Sequence, residues 1–172
     1  MLIDTGFFVL RLVLGLIFMG HGAQKLFGWF GGPGLKGVTG WLGSMRLRPA
    51  AFWAWVAALS EFGGGALLVL GFLSPLGSLG IIATMITAIA YVHAPKGLWN
   101  TAGGYEYPLV IIAAAFALGL TGPGAYSLDA ILGFALPAPL TFIVGLVAVV
   151  LGLLVAELTR SPQAAQATTG KS

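Results

Sequence analysis

Long apolar runs, separated by short stretches rich in glycine and proline, dominate the pattern of hydrophobic and polar positions along the chain. A helix of roughly 20 apolar residues is long enough to cross the hydrocarbon layer of a bilayer. The sequence therefore predicts five membrane helices, at 5–27, 52–73, 76–92, 107–120 and 140–158. The fourth run is short, and we expect its helix to begin inside the preceding loop.

The predicted fold class is all-α. It is a polytopic membrane helix bundle with a four-helix core in residues 1–133 and an additional, fifth C-terminal transmembrane helix in residues 134–160. Residues 161–172 are polar and are predicted to be disordered.

The segment 33–49, between the first two spans, has a different pattern. Leu35, Val38, Leu42 and Met45 recur at helical spacing, while the basic residues lie off that stripe. This pattern predicts an amphipathic helix that lies on the membrane surface. An irregular glycine-rich loop is the alternative.

Composition supports the membrane assignment, since 58% of the 172 residues are hydrophobic and only 8% are charged. A soluble domain normally carries about a quarter charged residues. The chain has no cysteine, which excludes disulfides, thiol chemistry and a protein-held iron–sulfur cluster. It has no basic stretch interleaved with aromatic residues, so no nucleic-acid partner is predicted.

The basic residues predict an orientation. With five spans, all of them except Arg11 fall on one side of the membrane: Lys25, Lys36, Arg46, Arg48, Lys96, Arg160 and Lys171. Basic loops are retained in the cytoplasm. We therefore expect a multi-pass protein of a bacterial-type plasma (inner) membrane, with the N-terminus outside and the C-terminus cytoplasmic.

Three of the spans carry small and polar residues at alternating steps of four and three, which is the spacing of a close helix–helix contact. The three faces are Arg11, Gly15, Phe18, Gly22 and Lys25; Ala57, Glu61, Gly64, Leu68 and Gly71; and Gly77, Gly80, Thr84, Thr87 and Tyr91. We expect these faces to converge on one bundle interior, although glycine is common in membrane helices whatever its role.

Charged groups near the bilayer centre cost several kcal/mol, so they normally face a partner or a water-filled cavity. Glu61 lies near the middle of the second span, and His21 lies at a similar depth in the first. They are the predicted catalytic residues, acting as a proton-handling pair, and a buried polar clasp between two helices is the alternative. Arg11 lies nearer the opposite face, where Asp129 competes with Glu61 as its partner.

Chain connectivity brings several further polar and aromatic side chains to the same mouth of the bundle. The candidate cofactor-binding residues are Arg11, Lys25, Tyr91, Trp99, Asn100, Tyr105 and Glu106, with His93 and Lys96 beside them. The aromatic members are also typical of an interfacial belt with no binding role. No metal site is predicted, because the two histidines lack the spacing of adjacent ligands.

Four motifs, in this order and spacing, resemble the DoxX family of small membrane proteins over approximately residues 5–133. They are Arg11 with the run His21-Gly22-Ala23-Gln24-Lys25-Leu26-Phe27-Gly28; Glu61 with Gly63-Gly64-Gly65; Gly104-Tyr105-Glu106-Tyr107-Pro108; and Ser127-Leu128-Asp129. The resemblance implies a four-helix core in a bacterial-type cytoplasmic membrane. The fifth span departs from that pattern.

The resemblance also implies a function, since some relatives belong to quinone-linked systems that oxidise thiosulfate or quinol, and others to oxidative-stress complexes. The sequence therefore predicts a membrane subunit of a redox system that binds a quinone or docks redox proteins. Whether the chain is itself an oxidoreductase stays open. A non-catalytic scaffold for partner proteins is the main alternative, and a small-solute or proton transporter ranks last. A homo-oligomer is also an open alternative.

Overall fold

Seven α-helices make up the fold in the computed structural model, which describes residues 1–134 and 136–160. They are α1 (Leu2–Phe27), α2 (Gly34–Ser44), α3 (Ala50–Leu70), α4 (Ser74–Ala88), α5 (Glu106–Thr121), α6 (Leu128–Leu132) and α7 (Ala138–Leu158). A π-helical turn, Ile89–His93, and a 3-10 turn, Ala94–Lys96, extend α4. All regular structure in the described ranges is helical, which confirms the predicted fold class. The predicted disordered tail lies outside those ranges.

Among the described residues, four helical segments are long and apolar enough to cross a membrane: Leu2–Phe27, Ala50–Leu70, Ser74–Lys96 and Ala138–Leu158. The 16 residues of α5 span about 24 Å, which is short for a crossing. Gly119, near the end of α5, packs against Ser78 near the start of α4 and Phe142 near the start of α7. Because α4 also contacts α7 at their C-terminal ends, α4 and α7 run in the same direction. The helix α5, which connects them in sequence, runs in the opposite direction.

The alternating helix directions give the bundle two ends, which we name after the basic residue of α1 at each. The Arg11 end holds the start of α1, the end of α3 and the α5–α6 connection, and Arg11 donates to the carbonyl of Tyr126 there. The Lys25 end holds the end of α1, all of α2 and the C-terminal parts of α4 and α7. It carries Lys25, Lys36, Arg46, Arg48, Lys96 and Arg160; Lys171 lies outside the described residues.

The amphipathic helix predicted for segment 33–49 is present as α2, so the glycine-rich loop is excluded. Val38 and Leu42 are buried, and Leu35 and Met45 pack against the same apolar cluster. Lys36 and Arg48 are exposed. The apolar stripe predicted from the sequence is thus the face of α2 that packs against the bundle. The position of α2 on the membrane surface stays a prediction.

Glycines set the spacing of α1, α3 and α4. A Cβ added at Gly15 of α1 would lie 2.6 Å from the carbonyl oxygen of Gly65 in α3, and one at Gly64 would lie 3.0 Å from the oxygen of Gly77 in α4. Close approach of backbones is how helices gain packing energy in lipid. The predicted faces do meet, but pairwise, because neighbouring glycines of α3 contact α1 and α4 on different sides.

Candidate functional site

A cavity of about 160 Å³, the inner cavity, lies at the Lys25 end between α2, α3, α4 and α7, and Lys25 of α1 reaches into it. Its apolar lining includes Val38, Trp41, Leu42, Trp53, Ala57, Ala88 and Leu153. Its polar lining consists of Lys25, Ser60, Glu61, Thr84, Thr87 and Tyr91. Largely apolar walls with a few convergent polar groups are typical of small-molecule sites.

Lys25 and Glu61 form an ion pair on the wall of this cavity. Lys25 lies in the last turn of α1, and the glycine contacts between α1 and α3 bring it alongside the middle of α3. Glu61 is 5% exposed, whereas the Lys25 side chain is 26% exposed. A buried carboxylate therefore has its counter-ion on the side that leads towards the surface.

Two threonines of α4, Thr84 and Thr87, also line the cavity. The Thr84 hydroxyl donates to the carbonyl of Ile81 at 2.9 Å, and the Thr87 hydroxyl donates to that of Ala83 at 2.8 Å. Because each hydroxyl proton is held by the helix backbone, each oxygen keeps a lone pair that can only accept a hydrogen bond. The α4 part of the lining therefore offers acceptors to a hydroxyl-bearing ligand.

Tyr91 lines the inner cavity from the π-helical turn, a type of turn often found at functional sites. Its hydroxyl donates to Oε2 of Glu157 at 2.6 Å, and Glu157 also pairs with Arg160 at 2.8 Å. The Arg160 guanidinium lies 5.1 Å from the centre of the Tyr91 ring. We call these three residues the Tyr91 clasp, which ties the end of α7 to the rim of the cavity.

His21 does not meet Glu61, so the predicted contact between them is wrong. The His21 side chain is exposed, and its Nδ1 lies 3.2 Å from Oε1 of Gln24. His21 precedes Gly22, which faces α3, by one residue, and one residue turns a helix by about 100°. The His21 side chain therefore points away from the α3 contact, and the carboxylate pairs with Lys25, which lies one turn further along α1 and has a longer side chain.

The loop after α4 does not gather at the cavity either. Trp99 is 65% exposed, Asn100 is exposed, and neither they nor Tyr105 and Glu106 line the inner cavity. The loop folds on itself: Glu106 accepts from the backbone N–H of Asn100 at 3.0 Å, and His93 Nδ1 lies 2.7 Å from the oxygen of Gly103. These polar groups stabilise the turn, and a cofactor role for them stays a prediction.

Arg11 lies at the opposite end, away from the inner cavity. It is fully buried and donates to the carbonyls of Leu68 and Tyr126. Asp129 is also buried there and accepts from the backbone N–H of Leu73 at 3.1 Å. Arg11 is thus grouped with Asp129 and not with Glu61, and it holds the end of α3 to the α5–α6 connection.

Sequence reasoning missed several residues of the site, among them Trp41, Trp53 and Glu157. Trp41 is off the apolar stripe of α2, and Trp53 lies in the first turn of α3, so neither stands out in the sequence pattern. Glu157 lies at the C-terminal end of α7, where a charged residue is expected whatever its role. A signal did exist: Glu157 and Arg160 are three residues apart, which is the spacing of an ion pair on one helix face.

In the described part of the chain, no group of three or more histidine, aspartate or glutamate side chains could hold a metal ion. Comparison with known protein families matches residues 6–94 to the DoxX family. That region runs from Gly6 in α1 to Ala94, just after the π-helical turn, and includes Lys25, Glu61 and Tyr91. No curated protein and no solved structure matches the chain. Because the match covers just over half of the sequence, the chain belongs to the DoxX family of membrane proteins.

Proposed function

We propose that this protein is a membrane subunit of a redox system and binds a quinone-like molecule in the inner cavity. The observation that carries the proposal is the combination of apolar and aromatic walls with a buried Lys25–Glu61 ion pair on one side. A quinone needs that combination, since it has a flat apolar ring and carbonyl oxygens that accept hydrogen bonds.

Size supports a single six-membered ring. An apolar cavity of about 150 Å³ holds one benzene molecule, and the inner cavity has about 160 Å³. Trp41, Trp53 and Tyr91 contribute aromatic rings to its lining, and aromatic rings stack on one another favourably in offset or edge-to-face arrangements. The cavity is thus matched to a ring and not to a bulky or highly charged solute.

The polar groups suit both redox states of such a ring. The Lys25 ammonium donates to a quinone carbonyl, while Glu61 and the hydroxyl oxygens of Thr84 and Thr87 accept from a quinol. Reduction of a quinone to a quinol takes two electrons and two protons. In this proposal Lys25, which is partly exposed, connects Glu61 to water for the protons, and a partner redox protein exchanges the electrons.

The location follows from the basic residues at the Lys25 end. The positive-inside rule puts that end in the cytoplasm. In a bacterial-type plasma membrane the inner cavity would then lie in the cytoplasmic half of the bilayer, open to protons and redox proteins of that side.

The test is to titrate the purified protein in lipid nanodiscs with duroquinone, a quinone without a tail. Quenching of tryptophan fluorescence measures the binding. Trp41 and Trp53 line the cavity, so occupancy quenches them. We expect Glu61→Gln to weaken binding about tenfold, because a charged hydrogen-bonding group is lost. Glu106→Gln is the matched control, since it removes a carboxylate at the start of α5, outside the cavity lining, and it should bind like the wild type.

Equal quenching in the wild type and Glu61→Gln, with both proteins folded, would reject the quinone site. The alternative of a non-catalytic scaffold predicts that result, together with partner proteins that copurify with both variants. Flux of protons or small solutes through the protein in liposomes would instead support the transporter alternative.

A further inference from the structure

A second hollow, which we call the lateral groove, runs between α4 and α7 and has a volume of about 510 Å³. Its walls are mainly apolar and include Ile86, Ala90, Val150, Leu153 and Leu154. Glu157 and Arg160 lie at the end nearer the membrane surface. The groove thus extends from the surface region towards the interior of the bilayer.

The lateral groove and the inner cavity share part of their lining. Thr87, Tyr91 and Leu153 contribute to both. A molecule whose ring occupies the inner cavity would reach the groove by passing these three side chains. The inner cavity itself holds little more than one ring, so any long substituent must extend out of it.

The charges at the groove end are already matched within the protein. Nη1 of Arg160 lies 2.8 Å from Oε1 of Glu157, and Nε of Arg160 donates to the carbonyl of Met45 at 3.3 Å. Because Glu157 neutralises the guanidinium, the groove end favours a neutral chain over the phosphate of a lipid headgroup. The Tyr91 clasp also holds the Tyr91 ring at the boundary between the two hollows.

We infer that the lateral groove binds the hydrocarbon tail of the molecule whose ring occupies the inner cavity. The ligand class is then a lipid-soluble quinone with a prenyl or alkyl tail. This inference rests on the proposed function. It adds that the ligand enters sideways from the bilayer between α4 and α7, and that Ala90, Val150 and Leu154 contact its tail.

The experiment uses a benzoquinone with a decyl tail that ends in a photoactivatable diazirine. The full-length protein in nanodiscs is irradiated with this probe, and the labelled residues are identified by mass spectrometry. We expect labels on groove residues of α4 and α7, and we expect excess duroquinone to remove them, because both molecules compete for the inner cavity.

Two alanine-to-phenylalanine substitutions test whether labelling depends on the lateral groove or occurs anywhere on the lipid-facing surface. Ala90→Phe fills the groove with a ring and should reduce groove labelling at least fivefold while duroquinone still binds. Ala113→Phe changes an equally exposed alanine on α5 and should leave labelling unchanged. Val150→Trp narrows the groove from α7 and serves as a second blocking variant.

Labels spread over all lipid-facing helices, or groove labels that persist with excess duroquinone, would overturn the tail site. A phospholipid that copurifies with the wild type but not with Ala90→Phe, without any change in probe labelling, would also overturn it. If duroquinone itself does not bind the wild type, the proposed function fails. If duroquinone binds and the groove is not labelled, only the tail site fails.

Discussion

Three charged residues of α1 and α3, namely Arg11, Lys25 and Glu61, fall into two separate groups. Arg11 is fully buried and donates to backbone carbonyls at one end, while Lys25 and Glu61 pair at the other. The first group joins chain segments, whereas the second lies on the wall of the inner cavity. Burial alone therefore does not mark a binding site, since the most buried charge belongs to the structural group.

The two members of the Lys25–Glu61 pair should contribute unequally to stability. Lys25→Met leaves the buried Glu61 without a counter-ion, and we expect a loss of about 3 kcal/mol in the free energy of unfolding. Glu61→Gln leaves Lys25, whose longer side chain can move its charge towards water, and should cost about 1 kcal/mol. Unfolding of both variants in mild detergent measures the difference.

The double variant is the internal control for that prediction. Lys25→Met with Glu61→Gln removes both charges, so it should be more stable than the sum of the single losses indicates. Strictly additive losses would mean that the two side chains do not interact in the folded protein.

Arg11 should not tolerate lysine. Its planar guanidinium donates to the carbonyls of Leu68 and Tyr126, which belong to separate segments, and a single ammonium cannot reproduce that fork. We expect Arg11→Lys to lower the free energy of unfolding by about 2 kcal/mol. Duroquinone affinity of the folded fraction should not change, because the inner cavity lies at the other end.

Arg48→Lys is the matched control, since Arg48 is exposed, and it should change stability by less than about 0.5 kcal/mol. Equal stability of the Arg11 and Arg48 variants would contradict the structural role of Arg11.

At the scale of the elements, the sequence predicts the helices better than the site. Apolar run length identifies the four helices long enough to cross a bilayer and also the shorter apolar helix α5, whose crossing stays a prediction. The stripe of Leu35, Val38 and Leu42 identifies α2, since it depends only on helical period. These features are local, and local features can be read along the chain.

Which side chains line the site depends on the direction in which each one points from its helix. The length of an apolar run does not give that direction. Depth along the axis favours His21 as the partner of Glu61, but the structure pairs Glu61 with Lys25, one helical turn further along α1, while the His21 side chain is exposed. Connectivity brings Trp99 and Glu106 to the correct end of the bundle, but turn hydrogen bonds fold their loop on itself. Those interactions are tertiary, so the sequence pattern does not contain them.

The α1–α3 contact that selects Lys25 can be tested directly. A valine at Gly15 would place its Cβ 2.6 Å from the Gly65 carbonyl oxygen and force the helices apart. We expect Gly15→Val to lose up to about 3 kcal/mol of unfolding free energy, as overpacked cores do. It should also weaken duroquinone binding, because Lys25 moves away from Glu61.

Gly20→Val provides the comparison on the same helix. A Cβ at Gly20 meets nothing within 4 Å, and the two variants share the same change in helix propensity. If both valines destabilised the protein equally, propensity and not helix packing would explain the glycines of α1.

At the scale of the whole molecule, the inner cavity, the lateral groove and every described basic residue except Arg11 lie at the Lys25 end. The region matched by the DoxX family ends at residue 94, yet α7 supplies Leu153 and Ala156 to the inner cavity. The C-terminal part of the chain therefore completes the site that the family region begins. The proposed function requires this end to face the compartment from which protons and electrons come.

The predicted orientation can be mapped with single cysteines, since the chain has none of its own. Ala102 and Ala125 are exposed alanines in loops, Ala102 at the Lys25 end and Ala125 at the Arg11 end. With the Lys25 end in the cytoplasm, a membrane-impermeant maleimide added to intact spheroplasts should label Ala125→Cys at once. Ala102→Cys should react only after the membrane is permeabilised. The reverse pattern would place the inner cavity in the outer half of the bilayer, and labelling of both cysteines in intact spheroplasts would contradict the crossing of α5 between them.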